Sequence, residues 1–194
     1  IKPFLFIGAH NVTNFMDTQF TPYGDIVEHF ESYDDIQDWF IKVELIKKKE
    51  KLKKEDEKKY FQEIINFRTL LRSEFKQYIQ SKIPLDNIIS ITNNILNENN
   101  VHPKIVQNEN KFELQYISST QKNNHLLTLI AIEVSKLLSS TEFKYLKKCD
   151  NHKCSLFFID TSKNHSRRWC SMEICGNRSK VNNFAKRKKI YLNN

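Results

Sequence analysis

Four cysteines stand as Cys149-x4-Cys154 and Cys170-x4-Cys175, fifteen residues apart, and the chain has no others. Two short thiolate pairs are the donor set of a tetrahedral metal site, each pair supplying one edge of the tetrahedron. The chemistry they imply is one structural Zn2+ ion, because four thiolates close the shell and leave no position for a reactive water. Two other readings use the same residues. Disulfides would need an oxidising compartment, and the opening Ile-Lys-Pro-Phe-Leu-Phe-Ile-Gly lacks the apolar run and cleavage site of an export signal. An iron-sulfur cluster usually shows different spacings. His152 and His165 lie nearby and are read as exposed loop residues, since the thiolates already complete the shell.

Charge gathers around these cysteines. Residues 141–194 carry 13 Lys and Arg against 4 Asp and Glu, net +9, whereas residues 1–140 carry 18 against 19, net −1. A local cationic excess beside a zinc site is the footprint of a phosphate-backbone binder, here duplex DNA. The candidate contacts are Arg167, Arg168, Arg178, Lys180, Lys186, Arg187, Lys188 and Lys189: lysines give diffuse phosphate attraction, and arginines can also read guanine. Arg178 has a second reading, bonding a carbonyl or Asp160 to hold the second cysteine turn. Trp169 is read as core rather than as a base-stacking platform. A solvated basic tail, or a protein-interaction module with a purely structural zinc site, accounts for the same composition. Enzymatic chemistry is not expected: a hairpin-and-helix nuclease needs a second histidine after His165, and none follows. Three glycines leave little room for a phosphate-binding loop.

The elements that must position the cysteines follow from local pattern. Phe143-Lys144-Tyr145-Leu146 alternates into Cys149 as a strand, Leu156 to Ile159 gives its partner, Asp160 to Ser166 turns the chain, and a helix runs over Lys180 to Lys189. Gly176 is expected to let backbone approach a thiolate. A module of some fifty residues has little core, so metal binding on the order of 10 kcal/mol decides whether it folds.

Upstream, the chain reads as mainly helical. Ser32-Tyr33-Asp34-Asp35 is a helix start, and a helix through Lys48 buries Ile36, Trp39, Phe40 and Val43. The run over 47–59 is a solvated link or the exposed start of the next helix. From Lys58 to Lys82, Ile64, Phe67, Leu71, Glu74 and Tyr78 fall near helical spacing, with only Glu74 breaking the apolar stripe; Phe61, Ile65, Phe75 and Ile79 widen the face, and Pro84 ends the helix. A helix from Asp86 carries Ile88, Ile89, Ile95 and Leu96. Lys104 to Val106 and Lys111 to Ser118 form a hairpin, with Phe112, Leu114 and Tyr116 alternating against Glu113 and Gln115, so one face is buried and one is wet. Leu126 to Leu138 returns to helical spacing and ends at Ser139-Ser140-Thr141.

The stretch CDNHKCSLFFIDTSKNHSRRWCSMEICGNRSK resembles the CGNR zinc-finger family of bacterial proteins, named for the tetrapeptide that stands here as Cys175-Gly176-Asn177-Arg178. The resemblance implies a finger after an N-terminal ABATE domain, in proteins described as stress-induced transcription regulators. Asn14-Phe15-Met16-Asp17-Thr18 is similar to that domain's Leu-Asp-Phe-x-Asn-Thr signature, with Asp17 where the family favours Asn and Asn14 where it has Asp; a structural turn is the reading preferred. The expected fold class is therefore α+β: a mainly helical domain with a small hairpin over 1–140, followed by a four-cysteine module over 141–194 built of a β-hairpin and a C-terminal helix. The first domain would sense a small-molecule ligand or pair the chain as a homodimer. No segment reaches membrane-spanning length, and reduced thiols point to the cytoplasm.

Overall fold

A computed structural model describes residues 4–21, 24–108, 111–118 and 124–181. The fold is mixed helix and antiparallel strand, with the four cysteines together in the C-terminal region. It divides into two compact units: residues 32–140, and residues 1–31 taken together with 141–194. The chain passes from one unit to the other after residue 140, where the boundary is expected. Residues 1–31 pack with the cysteine region, and the helical unit is inserted between the two halves.

Among its described residues the inserted unit holds four helices and one ribbon. Helix α2 (Tyr33–Lys42) opens with a capping box, Ser32 Oγ accepting from Asp35 N–H and the Asp35 carboxylate accepting from Ser32 N–H. It ends at Lys42, short of the expected Lys48, and Val43 is its C-cap, while Ile36, Trp39 and Phe40 are fully buried. Helix α3 (Lys54–Ser81) begins inside the polar run and ends on Lys82 in the left-handed region at φ 54°, two residues before Pro84. Its buried stripe is Ile64, Phe67, Leu71 and Phe75, with Arg68 also buried among them. Glu74 interrupts the stripe for a reason local pattern does not show. Its carboxylate accepts from Ile88 N–H at 3.0 Å and Asn87 Nδ2 at 2.5 Å, capping helix α4 (Asp86–Glu98), whose own N-cap Leu85 cannot. Helix α5 (His125–Ser139) is capped by Asn124, which also reaches back to Tyr60 O in α3.

Strands β3 (Val101–Asn108) and β4 (Lys111–Ser118) pair antiparallel along their whole length. The expectation of one buried face fails: Ile105, Phe112 and Leu114 are 72%, 74% and 58% exposed.

The composite unit is built of short pieces. Its N-terminal part holds helix α1 (Asn11–Met16) and the two-residue strands β1 (Gln19–Phe20) and β2 (Val27–Glu28). Its C-terminal part holds a 3-10 turn over Phe143–Tyr145, strands β5 (Leu146–Lys148) and β6 (Phe157–Ile159), and a π-helical turn over Met172–Gly176. The lead-in expected as a strand from Phe143 is thus helical for one turn before β5. Residues 177–181 are helical; the rest of the expected terminal helix lies outside the described residues.

Candidate metal centre

Each cysteine pair sits on a turn closed by its own backbone. After β5 delivers Cys149, the chain folds back so that Cys154 N–H donates to Asn151 O at 2.8 Å, while the Asn151 side chain accepts from Lys153 N–H. In the second pair Ser171 caps the π-helical turn, its carbonyl accepting from both Cys175 and Gly176 N–H at 3.0 Å. Cys149 N–H donates to Leu156 O, and Asp150 N–H to Arg168 O, which hold the two turns against each other.

All four sulfurs lie within 4.8 Å of one another and all four residues are buried. Cys154 Sγ and Cys170 Sγ are 3.8 Å apart. A metal with thiolate bonds of about 2.3 Å sets tetrahedral edges of about 3.8 Å, so this cluster fits one metal ion. The thiols are unbridged.

Protonation of the bare cluster leads to the same conclusion. Cys149 is held far below the usual thiol range, chiefly by hydrogen bonds from the Cys154 and Cys170 thiols, with the backbone amides of Cys170 and Asn151 adding to it. Cys154 is pushed up to about 12 and Cys170 further still, both mainly through Cys149, and burial raises Cys175. The shifts run in opposite directions because negative sulfurs in contact repel one another. A bound metal cation would offset that repulsion and favour thiolates at all four positions.

Around the sulfurs lies a small apolar core of Phe20, Leu156 and Phe158, with Leu5, Ile7, Val27 and Trp169 packed on it. Trp169 is thus partly buried against this core. Several of these residues come from the N-terminal segment, which is tied in by main-chain bonds. Ile159 N–H donates to Gly8 O at 2.8 Å, the Asp17 carboxylate accepts Phe157 N–H at 3.0 and 3.2 Å, and Ser155 Oγ accepts Thr21 N–H at 2.9 Å. Asn14 Oδ1 accepts Gly8 N–H, and Thr13 Oγ1 donates to Gly8 O. The Asn14 to Thr18 motif is thus structural: it docks α1 onto β6 three residues beyond Cys154.

A second anchor holds the connection between the cysteine pairs. Asp160 is fully buried, and its carboxylate accepts from Lys147 Nζ at 2.6 Å, Ser162 Oγ at 2.6 Å, Ser162 N–H at 3.0 Å and Arg167 N–H at 2.8 Å. Burial raises its pKa, but these bonds outweigh that and hold the carboxyl well below the usual carboxylate range. His165 closes the loop by stacking on Tyr145 at 3.5 Å, so it is less exposed than expected, whereas His152 is exposed.

The candidate nucleic-acid contacts separate in kind. Arg167 is engaged inward: its guanidinium donates to Trp169 O at 2.9 Å, to Ile7 O at 3.3 Å and to Cys170 O, and lies 4.3 Å from the Phe158 ring centre. Its guanidinium braces the carbonyls that flank Cys170. Arg168 faces out, paired with Asp150 at 2.7 Å and lying over Trp169. Arg178 is half-buried and Lys180 exposed on the helix that follows Cys175. Lys186, Arg187, Lys188 and Lys189 lie outside the described residues. A Cβ at Gly176 would meet Met172 Sδ at 2.8 Å and Trp169 Cδ1 at 3.2 Å, so the missing side chain lets these two pack closely there.

Sequence reasoning missed Gly8, Lys147 and Ser155. The one available signal was the Asn14 to Thr18 motif, which marks where the N-terminal anchor lies without showing what it holds. Residues 145–188 match the family model described as CGNR zinc finger. That span covers both cysteine pairs and leaves out residues 1–31 of the same compact unit. No curated protein matches the chain.

Proposed function

We propose that the composite unit, closed by one structural Zn2+ on Cys149, Cys154, Cys170 and Cys175, binds duplex DNA, and that the chain acts as a transcription regulator. The inserted unit would sense a small molecule or pair subunits. The mechanism is equilibrium binding, with no catalytic step. The observation that carries this reading is the partition of charge: the cations are concentrated in residues 141–194, with Arg168 and Lys180 exposed beside the cysteine turns. A folded knuckle that presents cations outward is suited to phosphate contacts, which position a protein on DNA before any base is read.

The test is a mobility-shift titration on duplex DNA across salt, beside metal analysis of the purified chain. One zinc per chain is expected, with affinity falling steeply as salt rises. Replacing Lys186, Arg187, Lys188 and Lys189 with alanine should flatten the log-log salt slope by up to about 3 to 4. Affinity no greater than that of a generic basic peptide would refute the reading.

One observation favours a second reading, that of a protein-interaction module. Met172, Ile174 and Val181 are exposed around the second cysteine turn, an apolar group of little use against phosphate. It predicts one stoichiometric zinc and a folded unit, with no salt-sensitive DNA affinity.

A further inference from the structure

The β3–β4 ribbon has a patterned face that the described chain leaves largely open. The register sets Pro103 opposite Tyr116, Ile105 opposite Leu114 and Gln107 opposite Phe112. Alternation therefore places Pro103, Ile105, Gln107, Phe112, Leu114 and Tyr116 on one face, and Lys104, Lys111, Glu113 and Gln115 on the other together with Val106 and Ile117. Such segregation belongs to a ribbon with one covered side. Only its base is partly covered, where Lys136 of α5 lies 5.7 Å from the Tyr116 ring centre. Farther out, Ile105, Phe112 and Leu114 are mostly exposed. A two-stranded ribbon is at best marginally stable in water unless something packs on it.

We propose that this face packs against the same face of a second copy of the chain, across a two-fold axis. Charge selects that occupant. No side chain of this face is charged at neutral pH, so two copies meet without like-charge repulsion between their faces, and the lysines and Glu113 lie on the opposite face. Nucleic acid would need cations on this face. A lipid surface would favour a cationic rim, and the ribbon's lysines point the other way.

The area sets the strength. The exposed parts of these side chains amount to roughly 400–500 Å² per copy, within the range of the largest patch on a typical monomer. Doubled, that reaches about 1,000 Å², the lower end for specific association, where dimers are concentration-dependent. Two apolar faces stacked about 10 Å apart bury Ile105, Phe112 and Leu114 from both copies at once. The proposal does not depend on DNA binding.

Sedimentation of the full chain over a concentration series tests it. The wild type should pass from monomer to dimer as concentration rises. Phe112→Ser with Leu114→Ser should raise the dimer dissociation constant more than about tenfold with far-UV circular dichroism unchanged. Lys104→Ser, on the wet face, should leave it unaltered. Because the double variant could lose its ribbon, a second arm uses charge: Ile105→Lys and Ile105→Glu should each stay monomeric alone and form a heterodimer when mixed. A wild type that stays monomeric at all concentrations, or a dimer that survives the double substitution, overturns the proposal. So does a monomer that binds anionic lipid vesicles through Phe112 and Leu114, which would assign the face to a membrane surface.

Discussion

The two compact units hold themselves together by different means. Residues 32–140 follow the usual economy of a helical domain: long amphipathic helices bury Ile36, Trp39, Phe40, Ile64, Leu71, Phe75, Ile88 and Ile130, and hydrophobic transfer supplies the driving force. In the composite unit the regular elements are short, and four of the buried core residues around Phe158 are cysteines. Its cohesion comes from four clustered cysteines placed to share a metal ion, from carboxylates that accept main-chain N–H groups, and from Arg167 holding three carbonyls. A unit of the first kind degrades gradually as its core is trimmed. One of the second kind depends on a few polar anchors, each of which leaves buried groups unsatisfied when lost.

Metal removal is the sharpest way to break that contrast. Chelation, or Cys154→Ser, should unfold the composite unit, since structural zinc contributes on the order of 10 kcal/mol or more to folding a small site. The helices α2 to α5 should persist. Far-UV circular dichroism, dominated by those helices, should change little, while amide exchange at Phe157, Phe158 and Ile159 becomes fast. Joint collapse of both signals would show that the units are not separately stabilised.

Asp160 comes next. Asp160→Ala leaves Lys147 Nζ and the N–H groups of Ser162 and Arg167 without their acceptor, at an expected cost of about 3–5 kcal/mol, measured by denaturant unfolding followed through metal release. The pH dependence has a definite sign. The folded carboxyl titrates below its unfolded value near 3.8, so its contribution is fully present above that value and is lost as pH falls through the folded pKa. The stability gap between wild type and Asp160→Asn should therefore be constant from pH 6 to 8. A gap that varies across that window would place the carboxyl's titration elsewhere.

Legibility from sequence divides along the same line. Helices with a repeated apolar stripe were readable, as was the Ser32 cap, because period and capping are local properties. The cysteine site was readable because spacing alone encodes a tetrahedral donor set. The N-terminal anchor was not, because Asp17 meets Phe157 across 140 positions and no periodicity spans that distance. Glu74 read as a flaw in its helix because its partner belongs to the next helix. The ribbon misled in another way: alternation reports that a strand has an apolar side and says nothing of what covers it.

Asp17 tests whether the N-terminal segment belongs to the composite unit energetically as well as by contact. Asp17→Ala removes the acceptor of Phe157 N–H inside a buried site and should cost about 2–3 kcal/mol. Gly8→Ala attacks the same junction sterically, since a Cβ would lie 2.8 Å from Thr13 Cβ and 2.9 Å from Asn14 Oδ1, and about 1–3 kcal/mol is expected. Both changes should lower apparent metal affinity in a competition titration with a chromophoric chelator, although neither residue touches a cysteine. Unfolding of the helical unit should be unaltered, and affinity at the wild-type value in both variants would make the docking incidental to the metal site.

The smallest expected effect lies in the helical unit and sharpens the contrast from the other side. Glu74→Ala removes a cap supplied by a neighbouring helix, leaving the N–H of the buried Ile88 without that acceptor at a helix start whose first residues are exposed. A loss of about 1 kcal/mol is expected in urea unfolding followed by helicity, with metal affinity unchanged. Water can approach the vacated position because Asp86 and Asn87 are exposed at the start of α4, whereas the bond from Phe157 N–H to Asp17 is buried. The same chemical event, one carboxylate lost from a main-chain donor, should therefore cost two to three times more in the metal-closed unit than in the helical one. Equal costs would mean that burial, and not the metal-centred construction, fails to distinguish the two.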